Sequence, residues 1–473
     1  MNSDQLKDKY FQQLIKHIPK SAYGSSSSMY SIALEGWRRG LEVKFYITKK
    51  HKVRYSLSNG TREHKFSLSL GDKVPRTTTS LTKNKSKTKE LFIKHNVPTP
   101  KGLTFDETYS VKEMVQAARE IPYPLVVKPT SSSLGIGVTT GISSEEQVEE
   151  VIEYTRNELG HKNLIIEQCI NGEDIRVVVV DGEVIAAYKR EPISVIGDGK
   201  STIEVLINKK NEIRKKHPHA YRYLIKINEK LLEKLESQNY SLSSVLEKDK
   251  KLYLSDSTLF SDGAETIDIT DEISEETKQV AINALKAVPD MEFAGIDVMV
   301  DFKDGKPYVL EINSRPDLSG ALFPMVGKPR NVPSALIDYY FPETKNLPFN
   351  EAVYNMKFDY TETVKLLKNG KASEVRIPIL PINEFKIKKV LINGKDFSLS
   401  MRKVIRNLAL KFKINGHIQL VRKDMMEMSV AGAEKNIIKL IDEIKSKKWK
   451  KAKITTIKVE DHIQPITLGF EIL

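Results

Sequence analysis

Residues 291–320 read MEFAGIDVMVDFKDGKPYVLEINSRPDLSG. Two apolar runs, FAGIDVMV and YVLEIN, flank the turn KDGKP, and the segment is predicted as an antiparallel hairpin. Each strand nonetheless carries polar groups where a buried strand should be oily. Side chains alternate between the two faces of a strand, so Glu311 and Asn313 share a face, and a hairpin brings Asp297 toward them. Ile296, Val298, Val309 and Ile312 compete for burial on the opposite face. Two carboxylates and an amide oxygen are hard donors of the kind magnesium takes, with positions left for water and phosphate oxygens. The alternative is a water-facing side of an antiparallel sheet. Against it, NSRP leaves the strand immediately.

A second segment, YPLVVKPTSSSLGIGV, places Lys128 at the end of a buried-looking strand, where an unpaired ammonium is costly and a bound anion offsets the cost. Ser131, Ser132, Ser133, Gly135 and Gly137 follow, small residues that let N–H and hydroxyl groups approach phosphate oxygens. A hairpin tip with a snorkelling lysine is the alternative. The pattern is neither a Walker loop nor a dinucleotide fingerprint.

A length of 473 residues exceeds one compact core and sets an expectation of two to four domains. At 40% hydrophobic and 29% charged the composition is that of an ordinary globular protein, without an apolar run of the roughly 18 residues a membrane span needs. MNSDQLKDKYFQQLIKHIPK lacks the apolar core of a signal peptide, and the single cysteine, Cys169 in LIIEQCI, excludes an internal disulfide, so a cytoplasmic location is expected. The positive residues behind the net charge of +13 are scattered, with clusters at 83–89, 209–219 and 445–451, none of which has the interleaved aromatics of a base-stacking platform. A solvated lysine-rich surface is therefore expected rather than a nucleic-acid platform, and a nucleotide shares the same attraction.

Residues 1–100 read as a small α/β unit, with Tyr30, Ala33, Leu34 and Trp37 on one helical stripe before the strand LEVKFYI. The helix SKTKELFIKHN stops at VPTPKG. SSEEQVEEVIEYTRNEL opens with a serine cap and acids in its first turn. NLIIEQCI and the VDGE-turned pair DIRVVVV and EVIAAYKRE are strands, and 203–237 is a polar helical stretch. Residues 344–384 form a linker with two strand candidates, AVYNMKFDY and SEVRIPILPI. A βαββαβ pattern over 385–473 predicts a ferredoxin-like sandwich.

From 25 to 342 the ordered text NKSKTKELFIKHNVPTPKG, YPLVVKP, GIGV, LIIEQCINGEDIRVVVVDGEVIAA, REPISVIGDGKSTIEVLI, AETIDITDEI, AGIDVMV, VLEINSRP and GKPRNVPSALIDYYFP resembles the ATP-grasp superfamily. It is most similar to the ligase domain of cyanophycin synthetase and of bifunctional glutathione synthetase. The resemblance implies a mixed α/β and α+β architecture. A pre-ATP-grasp domain at 1–100 would precede an ATP-grasp domain at 101–343, with its lid at about 101–190 and its C-terminal lobe at about 191–343. By the same resemblance Lys128 and Lys85 bind nucleotide phosphates, and Ser132, Gly135 and Gly137 lie in the lid. Glu167, Gln168, Cys169 and Ile170 form the hinge that reads adenine, with Asp174 at the ribose. Arg176, Arg190 and Arg315 face phosphates or substrate, and Asp297, Glu311 and Asn313 hold magnesium or manganese. The implied reaction is phosphorylation of a small-molecule carboxylate by ATP, then attack by an amine on the acyl phosphate. A closing lid would keep water from that intermediate. Relatives of this kind are often dimers or tetramers, and oligomeric state stays open.

Two features depart from the related patterns. The segment SDSTLFSDGAETID carries Ser255 and Asp256 where the cyanophycin synthetase pattern has arginines, so the substrate is expected to differ. Residues 385–473 resemble an acylphosphatase, with Arg402 matching its phosphate-binding arginine. The loop SLSM has lost the glycines, however, and Leu420 falls where an asparagine orients water. This module is expected to pack, dimerise or present substrate rather than hydrolyse, with Arg402 as a candidate anion site. The competing readings are a nucleotide-regulated nucleic-acid or polymer-binding protein, and an acyl-phosphate hydrolase.

Overall fold

The structure, a computed structural model, describes residues 11–12, 15–131, 136–381, 384–462 and 464–473. The chain divides into two compact units, Ser69–Tyr339, and Met1–Leu68 together with Tyr340–Leu473.

The unit Ser69–Tyr339 contains two larger antiparallel sheets, each with one face buried under helices. In the first, the strands run in the order Gly102–Phe105, Leu164–Gln168, Leu125–Pro129, Thr139–Ile142. Helices Val111–Ala118 and Glu145–Asn157 begin where Ser110 and Ser144 accept hydrogen bonds from the third residue beyond them, Glu113 and Gln147. Their apolar stripes meet Leu125, Val127, Leu164 and Ile166 in one core. Because side chains alternate, Lys128 and Glu167 are left on the opposite face.

The second sheet runs Glu265–Asp268, Glu183–Glu191, Gly172–Val180, Phe293–Asp301, Pro307–Asn313. Asp181 and Gly182 turn between the Gly172 and Glu183 strands, both at positive φ, as the Asp-Gly signal predicts. One face, with Ile175, Val177, Val179, Ala187, Ile296, Val298, Val309 and Ile312, packs with residues of helix Glu275–Lys286. A register shift between Asp297 and Val298 leaves Leu310 without a partner, which keeps Val309 and Ile312 on that core face while Asp297 stays opposite Glu311. The other face carries Asp174, Arg176, Tyr188, Arg190, Gly295, Asp297, Glu311 and Asn313.

The stretch expected to be helical over 203–237 is two helices, Ile203–Lys216 and Glu229–Ser237. Thr202 and Asn228 each cap a start, and the two helices share a small core with strands Ser194–Ile196 and Lys251–Tyr253.

In the other unit, helix Ser26–Arg38 buries Tyr30, Ala33, Leu34 and Trp37 as its periodicity requires. Strand Glu42–Ile47 lies between Val53–Ser58 and Glu374–Ile377, so a strand from the 344–384 segment completes this edge. AVYNMKFDY, expected as a strand, instead forms helix Glu351–Tyr354 and only a short strand, Met356–Lys357. Asn350 Oδ1 accepts from the N–H of Ala352 and Val353, and this cap starts the helix there. The C-terminal part is the expected ferredoxin-like sandwich, with strand order Lys453–Asp461, Phe385–Lys395, Met425–Ala433, Asn415–Arg422, Phe470–Ile472. Helices Leu399–Lys411 and Glu434–Ser446 share its core.

Candidate nucleotide and metal site

The open face of the five-stranded sheet gathers the residues singled out in the hairpin. Asp297 is the direct strand partner of both Glu311 and Arg176. Arg176 grips Asp297 in a two-pronged ion pair, its Nη2 2.8 Å from Oδ2. Arg190 Nη2 lies 3.1 Å from Asp174 Oδ1 and 3.5 Å from Asp297 Oδ1. Glu311 is held by Lys85 and by Asn313, whose Nδ2 donates at 3.0 Å. Arg315, by contrast, is exposed just past the strand, without an ion pair among the described residues.

Burial and charge set opposite fates for the two carboxyls. Burial pushes Asp297 up to about 6, Glu311 adds to the rise, and Arg176 opposes it. Arg176 itself is raised: burial opposes its charge, but Asp297 more than offsets that, so the pair is ionised at neutral pH. Burial also pushes Glu311 upward, but Lys85, Asn313 and Arg176 overcome it and hold the carboxyl well below the usual range.

On the four-stranded sheet, Glu167 is 3% exposed and lies between two ammonium groups. It pairs with Lys128 through Oε1 and with Lys89 Nζ through Oε2 at 2.5 Å. Lys89 joins this candidate site although the sequence motifs do not single it out. Its signal was spacing: Lys85 and Lys89 are four apart in NKSKTKE and share a face of helix Lys85–Lys94, which starts at the Asn84 cap. Lys85 therefore reaches Glu311 on one sheet while Lys89 reaches Glu167 on the other. The Lys85 N–H also donates to Thr130 O at 3.0 Å, fixing the helix start to the end of the Lys128 strand.

The N–H groups of Gln168 and Cys169 donate to Lys101 O and Pro124 O, both at 2.8 Å, so this segment is tied to its own chain on both sides. Ile170 is buried. Gly137 adopts φ +73°, and a Cβ there would come within 2.9 Å of Pro129, which limits the position to glycine. Ser132 and Gly135 lie outside the described residues.

In the C-terminal sandwich, Arg402 Nη1 donates to Leu473 O at 3.1 Å, while its Nε is buried without a hydrogen-bond partner among the described residues. The Ser398 hydroxyl caps helix Leu399–Lys411 by accepting from Met401 N–H, so that donor is already engaged. Leu420 is 39% exposed, and Gln419 Nε2 donates to Glu427 at 3.2 Å.

Residues 82–203 match the RimK-like ATP-grasp domain, and residues 388–472 match the acylphosphatase family. The chain is 29% identical to the glutathione biosynthesis bifunctional protein GshAB of Clostridium perfringens over 320 residues, covering 66% of this chain and 40% of that protein. It is 29% identical to the cyanophycin synthetase of Synechocystis over 298 residues, 62% of this chain and 34% of the relative. The enzyme of the same name from Geminocystis herdmanii is 30% identical over 300 residues, with 62% and 34% covered. The chain thus spans between about a third and two fifths of the length of these relatives. A solved bifunctional glutathione synthetase from Pasteurella multocida is 24% identical, with 61% of this chain and 41% of that one covered and a TM-score of 0.49.

Proposed function

We propose that the chain is an ATP-dependent ligase that activates a carboxylate as an acyl phosphate and joins it to an amine such as an amino acid, a peptide or a related small metabolite. The observation that carries this reading is the charge arrangement within the Ser69–Tyr339 unit. Lys85, Lys89, Lys128, Arg176 and Arg190 converge on carboxylates at the ends of paired strands, a density of cations suited to a polyphosphate. Asp297, Glu311 and Asn313 fit magnesium or manganese by the chemistry of their hard oxygen donors. Among the described residues no three His, Cys, Asp or Glu side chains gather into a metal cluster, so the assignment uses two carboxylates and an amide. The metal, when bound, neutralises phosphate oxygens.

The chain's own groups then divide the work. Lys85, Lys89 and Lys128 offset the charge of the transferring phosphoryl group, and Gly137 belongs to the segment that shields it. Arg176 and Arg190 orient the substrate carboxylate, with Arg315 at the rim. Gln168, Cys169 and Ile170 border the adenine, and Asp174 the ribose. In this reading 1–100, which supplies Lys85 and Lys89, precedes a catalytic domain at 101–343, 344–384 is a linker, and 385–473 packs or presents substrate without hydrolysing it. The Met401 N–H, already engaged by the Ser398 hydroxyl, supports that last point. No described helix is long and apolar enough to cross a membrane. A cytoplasmic setting suits a chain whose single thiol, Cys169, is unpaired.

The test is an ADP-release screen of carboxylates against amines, with product masses measured. ADP and phosphate are expected only when both correct substrates are present, and Glu311→Ala is expected to lower turnover at least about 100-fold. Full activity in folded Glu311→Ala would remove the metal assignment. Absence of turnover with every pairing, together with nucleic-acid affinity that falls steeply with salt, would favour the binding-protein reading.

A further inference from the structure

The proposed ligase site is rich in cations, which suits ATP and a carboxylate but repels the second substrate. A free amine is an ammonium in neutral water and needs an anion that no lysine or arginine already holds. Glu167, Asp174, Asp297 and Glu311 are each ion-paired. Asp317 is not. Its carboxylate is exposed, and its one side-chain hydrogen bond among the described residues comes from the Ser319 N–H at 2.9 Å.

A continuous series of contacts ties Asp317 to the metal face. Gly320, three residues on, sits directly on Tyr188, since a Cβ there would lie 2.7 Å from the ring. Tyr188 is two residues from Arg190 on the same strand and face. The Arg190 guanidinium is 5.7 Å from the Phe260 ring centroid. Phe260 in turn stacks with Tyr223 at 6.1 Å and meets the edge of His219 at 4.8 Å. His219 Nδ1 closes the series 2.8 Å from Ser319 Oγ, beside the Asp317 turn. His219 is only 7% exposed, and its Nε2 is buried with no hydrogen-bond partner among the described residues. In the tautomer that donates from Nδ1 to Ser319, that nitrogen keeps an unused lone pair. An unpaired carboxylate, an unused acceptor and two aromatic faces are what an ammonium needs.

We propose that Asp317 docks the ammonium of the amine substrate, with Phe260 and Tyr223 as the apolar wall beside it and His219 beneath. This assignment rests on the ligase reading. It places the amine beyond Arg190, on the far side of the substrate carboxylate from Lys85. It also makes the segment 255–263, which departs from the related patterns at Ser255 and Asp256, the wall that selects the amine's side chain.

The test uses the full chain and two nucleophiles. Hydroxylamine is uncharged at neutral pH and traps the activated carboxylate as a hydroxamate, so it reads activation without ammonium docking. The charged nucleophile is whichever of the twenty common L-amino acids gives the fastest ADP release. Asp317→Asn keeps an Oδ1 acceptor for Ser319 N–H and removes the charge. The amine KM is expected to rise about tenfold or more, the range of a lost charge-assisted hydrogen bond, while the KM for ATP stays within about twofold. Asp317→Glu is expected to recover most of the amine KM. An unchanged amine KM in Asp317→Asn, or equal losses with amine and hydroxylamine, overturns the docking role while wild-type hydroxamate formation leaves the ligase reading intact. Absence of hydroxamate from the wild type with every carboxylate overturns both.

Discussion

Replacing Glu167 with glutamine would remove the one negative charge between two buried ammonium groups. Lys89 and Lys128 are 7% and 8% exposed, so neither can recover its hydration in place. Breaking a buried ion pair from one side costs about 3–5 kcal/mol, and the lower end applies here because glutamine keeps one acceptor oxygen. At about 1.4 kcal/mol per factor of ten, 3 kcal/mol makes local opening more than about 100-fold more frequent. The loss should fall on strands Leu125–Pro129 and Leu164–Gln168, which pair with each other and carry Lys128 and Glu167. Hydrogen-exchange mass spectrometry of the nucleotide-free protein reads this directly, with strand Phe293–Asp301 as an internal reference. Burial raises the Glu167 carboxyl, but Lys128 and Lys89 more than offset this and hold it below its ordinary value. Its stabilisation is therefore present above the normal carboxylate range and lost as pH falls through the depressed value, so the gap between wild type and Glu167→Gln should narrow in acid. Lys89→Met leaves a neutral Lys128–Glu167 pair and should cost less. Protection in Glu167→Gln within about threefold of wild type at neutral pH, or a larger loss in Lys89→Met, would refute the reasoning.

Other perturbations probe neighbouring parts of the same unit. A Cβ on Gly295 would lie 2.7 Å from Pro316 and 3.2 Å from the Arg176 side chain, so Gly295→Ala should displace the arginine from Asp297. The expected cost is about 1–3 kcal/mol in urea denaturation together with slower ADP release, and unchanged values of both would contradict the geometry. Burial lowers His217 and His219 to about 4, His217 further because its neighbour His219 repels a second charge. The folded state thus refuses protons that the unfolded chain accepts below the ordinary histidine value of about 6.5. Stability should fall between that pH and about 4, by up to roughly 1.4 kcal/mol per pH unit for each ring. His217→Asn, which can still accept the N–H bonds of His219 and Ala220, should flatten the dependence, and an unaltered slope in thermal melts would exclude the histidine as its source.

The hairpin at 293–313 was legible because its signal is local. A strand alternates faces every residue, so the positions of Ile296, Val298 and Ile312 dictated that Asp297, Glu311 and Asn313 share the other side. The helix start at Ser144, the Asp-Gly turn at 181–182 and the βαββαβ order after 385 are equally short-range, and sequence alone determined them. Other features depended on partners far along the chain. Lys89 meets Glu167 across 78 positions, and nothing within either segment announces the other. Glu374–Ile377 reads as a strand in isolation, but only the fold seats it beside Glu42–Ile47. AVYNMKFDY alternates like a strand, and its preceding Asn350 cap, together with the burial of Val353 and Tyr354, decided for a helix. That Asp317 has no ion-pair partner among the described residues is likewise a property of the assembled unit. A residue's periodicity fixes which way it points, whereas the charge it meets is set by chain folded back from elsewhere.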